Sequence, residues 1–170
     1  MTPFFKKRLL APGPTPVPEE TLLELARPVP YHRTDEMRAV IGEVVADLQT
    51  VFCTKNPIFP LTCSGTGGLE AALVNVVPPG KKAICLTAGR FGERWTKICK
   101  AFAIEPIVVS APYGQAVQPE QLQRALKEHP DAVAVCSTLS ETSTGVLHDI
   151  ESFGKIQFHH ILAVGNRIRK

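Results

Sequence analysis

The sequence has no apolar run near the roughly 18 residues that a membrane-spanning helix needs, which excludes a membrane protein of that kind. No cleavable leader is expected. The opening stretch Met1 to Leu10 is too short, and Pro12, Pro14, Pro16 and Pro18 follow at once, so a cytoplasmic protein is expected, with no membrane partner. Aromatic residues are few, 6% with a single tryptophan, and no basic stripe runs between them, which argues against nucleic acid as a partner. Acids are missing from residues 155–170, which carry Lys155, Arg167, Arg169 and Lys170; the net charge of +3 therefore sits in the tail. The five cysteines, Cys53, Cys63, Cys85, Cys99 and Cys136, form no C-x-x-C pair and have no histidine at ligand spacing. Buried free thiols are expected, and no metal site. No asparagine stands in an N-x-S/T pattern.

What is present is a globular composition, 44% hydrophobic and 21% charged over 170 residues, enough for one domain or a piece of a larger one. Glu19 to Ala26 follows two prolines with early acids and reads as a short helix that Pro28 and Pro30 end. Asp35 to Phe52 carries Met37, Val40, Ile41, Val44, Val45 and Leu48 at helical spacing, with Asp35 as the expected cap. Apolar β-rich runs at Ala83–Thr87, Pro106–Ser110 and Ala132–Cys136 alternate with helical patterns at Arg90–Phe102 and Pro119–Glu128. That order predicts an α/β layer architecture with a mostly parallel sheet.

Three clusters offer chemistry. Ser64-Gly65-Thr66-Gly67-Gly68 precedes a helical pattern, so its backbone amides and the helix dipole suit an anion such as phosphate; a plain glycine turn capped by Ser64 or Thr66 is the competing reading. Neither nucleotide fingerprint fits, because Glu70 occupies the last glycine position of G-x-G-x-x-G and no Lys-Ser/Thr pair follows. Ala88 to Trp95 follows a strand directly, where ligands of open α/β sheets gather. Phe91 there either faces a ring or packs on the core with Trp95. Ser137 to Gly145 is dense in hydroxyls after another strand and suits a polar ligand, or an ordinary Ser/Thr turn.

Five segments in register resemble one family: Leu9–Pro18 (LLAPGPTPVP), Tyr31–Glu36 (YHRTDE), Ser64–Leu73 (SGTGGLEAAL), Ala88–Arg94 (AGRFGER) and Ser140–Leu147 (SETSTGVL). The chain is similar over residues 8–150 to the class V aminotransferases of pyridoxal-phosphate fold type I, near the alanine–glyoxylate and serine–pyruvate enzymes. The resemblance implies a partial three-layer α/β/α sandwich, the N-terminal part of the fold type I large domain. It implies pyridoxal 5'-phosphate as cofactor, with Thr66, Gly67 and Gly68 at its phosphate, Phe91 stacked on its ring and Thr142 bonded to its phenolic oxygen. It further implies Pro12, Gly13 and His32 near the substrate, and a homodimer in the full-length protein. The implied activity moves an amino group between alanine or serine and glyoxylate or pyruvate.

The resemblance also implies a Schiff-base lysine and an aspartate that keeps the pyridine nitrogen protonated. Neither is identifiable. The strand pattern His160–Val164 runs into Gly165-Asn166-Arg167-Ile168-Arg169-Lys170 where the aspartate is expected. Lys155, in Ser152-Phe153-Gly154-Lys155, reads as a surface helix lysine. The organisation expected is an arm with active-site loop at 1–34, a partial cofactor-binding domain at 35–154, and an aberrant tail at 155–170, frameshifted or truncated. No turnover by this chain alone follows. The alternative is a non-catalytic fragment that binds cofactor or assembles with another chain; a cysteine desulfurase or lyase is disfavoured by the match around Phe91.

Overall fold

The computed structural model describes residues 9–156 and 161–164. The chain divides into two compact units, residues 1–48 and 49–170.

The first unit holds helix α1 (Glu19–Leu25) and most of α2 (Asp35–Val51), neither of which buries a residue. Pro18 precedes α1, where a fixed φ suits a helix start, and Glu19 and Glu20 oppose the positive end of the helix dipole. The α2 cap differs from expectation. Thr34 Oγ1 accepts from the Met37 amide at 3.2 Å, while Asp35 pairs with Arg38 along the helix surface. Thr34 lies one residue before the helix, where its oxygen reaches a first-turn amide; Asp35 is already inside it. The apolar face of α2 is exposed, with Val40, Ile41 and Val44 each near half their full accessibility.

The second unit is built on a four-stranded sheet, β1 (Lys82–Thr87), β2 (Glu105–Ser110), β3 (Ala132–Thr138) and, after two short strands, β6 (Ile161–Val164). Its order is β2-β1-β3-β6 and every pairing is parallel, with Leu86 opposite Val109 and Cys85 opposite Cys136. Parallel strands need crossover connections, and α4 (Arg90–Ala101) and α5 (Pro119–Glu128) supply two of them. The short strands β4 (Ser140–Glu141) and β5 (Val146–Leu147) form an antiparallel pair, and α6 (Ile150–Lys155) follows.

Strand alternation sends side chains to two opposite cores. On one face Ala83, Cys85, Ala134 and Cys136 pack with Leu69 and Leu73 of α3 (Gly65–Val74) and with Trp95, Ile98 and Cys99 of α4. On the other, Ile84, Leu86 and Val135 pack with Leu122 and Ala125 of α5 and Phe153 of α6. Helices on both faces of a parallel sheet make this a partial three-layer α/β/α sandwich. Each fully buried large side chain, Trp95, Leu73 and Phe153 among them, contributes about 1.5–3 kcal/mol.

Two expectations need correction. Only Cys85, Cys99 and Cys136 are buried thiols; Cys53 and Cys63 are exposed, because they lie in the turns on either side of Thr54–Thr62 rather than on a strand or a packed helix. Phe91 and Trp95 do not pack together on the core: Trp95 is fully buried, while Phe91 stays half-exposed under the Arg94 guanidinium, 5.1 Å from its ring centre. Lys155 is a surface helix lysine as expected, 2.7 Å from Glu151 one turn back. Residues 157–160 and 165–170, including His160, lie outside the described residues.

Candidate functional site

Three chain segments meet the carboxyl ends of the strands. The Ala88–Phe91 turn leaves β1 there, and the Ser140–Gly145 turn leaves β3 there. Helix α3 runs into β1 through a short turn, 75–81, and packs on the same face, so its N-terminus lies towards that end too. This is where open α/β sheets bind ligands.

The N-termini of α3 and α4 differ in a way that decides what each can hold. A helix start presents amides with no partner inside the helix. At α4 they are all satisfied from within the chain. The Glu141 carboxylate accepts from the Phe91 amide at 3.3 Å and the Gly92 amide at 2.8 Å. Ser143 Oγ accepts from the Arg90 amide at 3.0 Å and itself donates to Glu141. Thr144 Oγ1 donates to the Ala88 carbonyl at 3.1 Å. At α3 the arrangement is open. Ser64 makes no side-chain cap bond, and the Gly65 and Thr66 amides have no partner among the described residues. A Cβ at Gly65 or Gly68 would meet nothing within 4 Å, so there is free space beside these amides. An anion of phosphate size therefore fits α3, whereas α4 already holds an internal carboxylate.

Glu141 is fully buried. Burial pushes its carboxyl up, but the Ser143 hydroxyl and the amides of Gly92, Phe91 and Ser143 outweigh burial and hold it below the ordinary carboxylate range. Two glycines make room for this join. A Cβ at Gly89 would come within 2.7 Å of the Glu141 side chain and 2.5 Å of Ser143 Oγ, and one at Gly92 within 2.9 Å of the Thr87 Cα. Beside the first turns of α4 lies a cleft of about 490 Å³ lined by Arg90, Glu93, Arg94, Lys97 and Tyr113, with the Tyr113 hydroxyl donating to Glu93 at 2.7 Å.

The residues singled out from sequence fall into place unevenly. Phe91 and Thr142 are drawn together through Glu141, whose carboxylate bonds the amide of the first and whose backbone adjoins the second. Thr142 is exposed, and Thr66 and Gly67 are half-buried on the first turn of α3. Pro12, Gly13 and His32 are exposed in the first unit. Glu141 itself escaped the sequence reading; its one signal was a lone acid inside a run of hydroxyls directly after a buried strand. Among the described residues no group of three or more His, Cys, Asp or Glu side chains is placed to hold a metal ion.

A soluble hydrogenase small subunit from a Synechococcus strain is 35% identical over 165 residues, covering 96% of this chain and 42% of that protein. An uncharacterized aminotransferase of Methanocaldococcus jannaschii is 36% identical over 151 residues, covering 89% of this chain and 39% of that protein. Among solved structures, an aspartate aminotransferase from Thermus thermophilus superposes with a TM-score of 0.81 at 31% identity, over 88% of this chain and 41% of that one. Other curated relatives are named aminotransferases. They include serine–glyoxylate and alanine–glyoxylate enzymes, and the chain folds as part of the fold type I architecture that such aminotransferases share. No family model matches. The chain spans about two fifths of the length of the curated relatives it matches.

Proposed function

We propose that this chain carries the cofactor-phosphate and ring contacts of a pyridoxal 5'-phosphate-dependent transaminase. The complete protein would move an amino group between alanine or serine and glyoxylate or pyruvate. The observation that carries this is the contrast between two neighbouring helix starts: α4 is closed by Glu141 and Ser143, while α3 keeps the Gly65 and Thr66 amides open next to free space. Thr66, Gly67 and Gly68 would receive the phosphate, Phe91 would lie against the ring and Thr142 would bond its phenolic oxygen. When bound, the cofactor supplies an electron sink that no amino-acid side chain provides. The chain's own part is to anchor the dianion at a helix terminus, hold one face of the ring against an aromatic surface, and fix a hydroxyl at its edge. Pro12, Gly13 and His32 are assigned to the substrate, and the full-length protein is read as a cytoplasmic homodimer.

Lys155 has no part in this reading. The Lys155 ammonium donates to the Glu151 carboxylate at 2.7 Å, and that hydrogen bond and negative charge hold its pKa above the ordinary value, which leaves it protonated and a poor nucleophile. The test is equilibrium dialysis of the chain against pyridoxal 5'-phosphate and against pyridoxal. Binding of the first at least tenfold tighter than the second, with inorganic phosphate competing, is expected on this account; equal binding without competition contradicts it. Borohydride treatment of the complex followed by peptide mapping should show no preference for Lys155.

A further inference from the structure

We propose that Glu141 is a positioning residue for the cofactor ring: its carboxylate sets the spacing between Phe91 and Thr142. The inference rests on the reading of the site given above and goes one step further. Phe91 sits on the first turn of α4 and Thr142 on the turn after β4, two segments far apart in sequence and joined by no backbone–backbone bond between those two residues. What joins them is the buried Glu141 side chain, with one oxygen on the Phe91 amide and on Ser143, the other on the Gly92 amide. Thr142 follows Glu141 directly, so its backbone moves with the anchored residue. Two further ties hold the same two turns, from the Arg90 amide to Ser143 Oγ and from Thr144 Oγ1 to the Ala88 carbonyl. The absence of a side chain at Gly89 is what allows the carboxylate in, since a Cβ there would overlap both Glu141 and Ser143.

The carboxylate is specific to this task. It accepts from four donors at once, three amides and one hydroxyl, which only an ionised acid does without conflict. A glutamine has the same shape but turns an NH2 group towards one of those donors, leaving two donors face to face. The expected result is a shifted first turn of α4 without loss of the sheet beneath it.

The experiment compares the 170-residue chain with Glu141→Gln and Ser143→Ala. Amide hydrogen exchange without cofactor should speed about tenfold at Phe91 and Gly92 in E141Q, with the β1 and β3 amides unchanged. Pyridoxal 5'-phosphate should bind about threefold to tenfold more weakly, as loss of an aromatic contact implies, and its visible circular-dichroism band should shrink. Inorganic phosphate, followed by phosphorus NMR, should bind as in the parent chain. S143A, which keeps the acid but loses one of its four donors together with the acceptor of the Arg90 amide, should move each readout the same way by less, and it carries the test if E141Q does not fold. Faster exchange with unchanged cofactor affinity and dichroism would make Glu141 a helix cap only and overturn the inference. Equal weakening of cofactor and inorganic phosphate would also overturn it, as general loosening. A parent chain that ignores the cofactor would remove the reading of the site and this inference together.

Discussion

Glu141 shows how much one side chain can decide. Its carboxyl is held below the value of an unfolded chain, so the unfolded state takes up the proton first as pH falls. The stability it contributes is therefore fully present above the unfolded carboxyl value of about 4.3 and is lost as pH drops through the lower folded value. Urea unfolding followed by the fluorescence of Trp95, the single tryptophan, should show a smaller drop in midpoint between about pH 6 and pH 3 for Glu141→Gln than for the parent chain. Gly89→Ala should destabilise by about 1–3 kcal/mol in the same assay, because the new methyl overlaps the carboxylate and Ser143. The thiols divide as sharply. The Cys136 thiol beside it and burial push Cys85 up to about 12, and Cys85 together with burial pushes Cys99 higher still, so neither forms a thiolate at neutral pH. Cys53 and Cys63 should be alkylated rapidly in the native chain, and Cys85, Cys99 and Cys136 only after denaturation, as mass spectrometry of timed samples will show.

At the scale of the element, much was legible because hydrophobic periodicity and proline positions are local signals. Helix α5 spans Pro119–Glu128, the residues its opening proline and its Leu122 and Ala125 spacing indicate, and the strands follow their β-rich runs to within a few residues. The capping of α5, where Gln121 Oε1 accepts from the Gln118 amide at 2.8 Å, was not legible, since glutamine is an unusual residue at the N-cap position that Gln118 occupies. The α2 cap was misplaced by one position for a similar reason: Thr34 and Asp35 are both good capping types, and only the geometry separates them. The open start of α3 was legible as a glycine-rich turn before a helix. The closed start of α4 was not, because its closure comes from residues some fifty positions away. Removing packing beneath the open helix should cost more than any cap. Leu73→Ala, at a fully buried α3 position, should destabilise by about 2–5 kcal/mol in urea unfolding.

For the whole molecule, the α/β layering and its parallel sheet were readable from the order of elements, whereas the placement of apolar surface was not. Periodicity says that α2 has an apolar face; it does not say what covers it, and in its own unit Val40, Ile41 and Val44 remain exposed. Edge strand β2 likewise leaves Val108 half-exposed. Surfaces of this kind favour association, so light scattering behind size exclusion should give a mass above 18.5 kDa for the isolated chain. The account stands or falls on whether the two turns at the carboxyl end of the sheet and the start of α3 act as one binding site. The most direct measurement is a nitrogen-15 NMR titration of the chain with pyridoxal 5'-phosphate. The account predicts that the amides of Gly65, Thr66, Gly67 and Gly68 move together with those of Phe91 and Thr142, with a common saturation curve. Shifts confined to other residues, or phosphate-loop shifts with Phe91 and Thr142 unmoved, would contradict it.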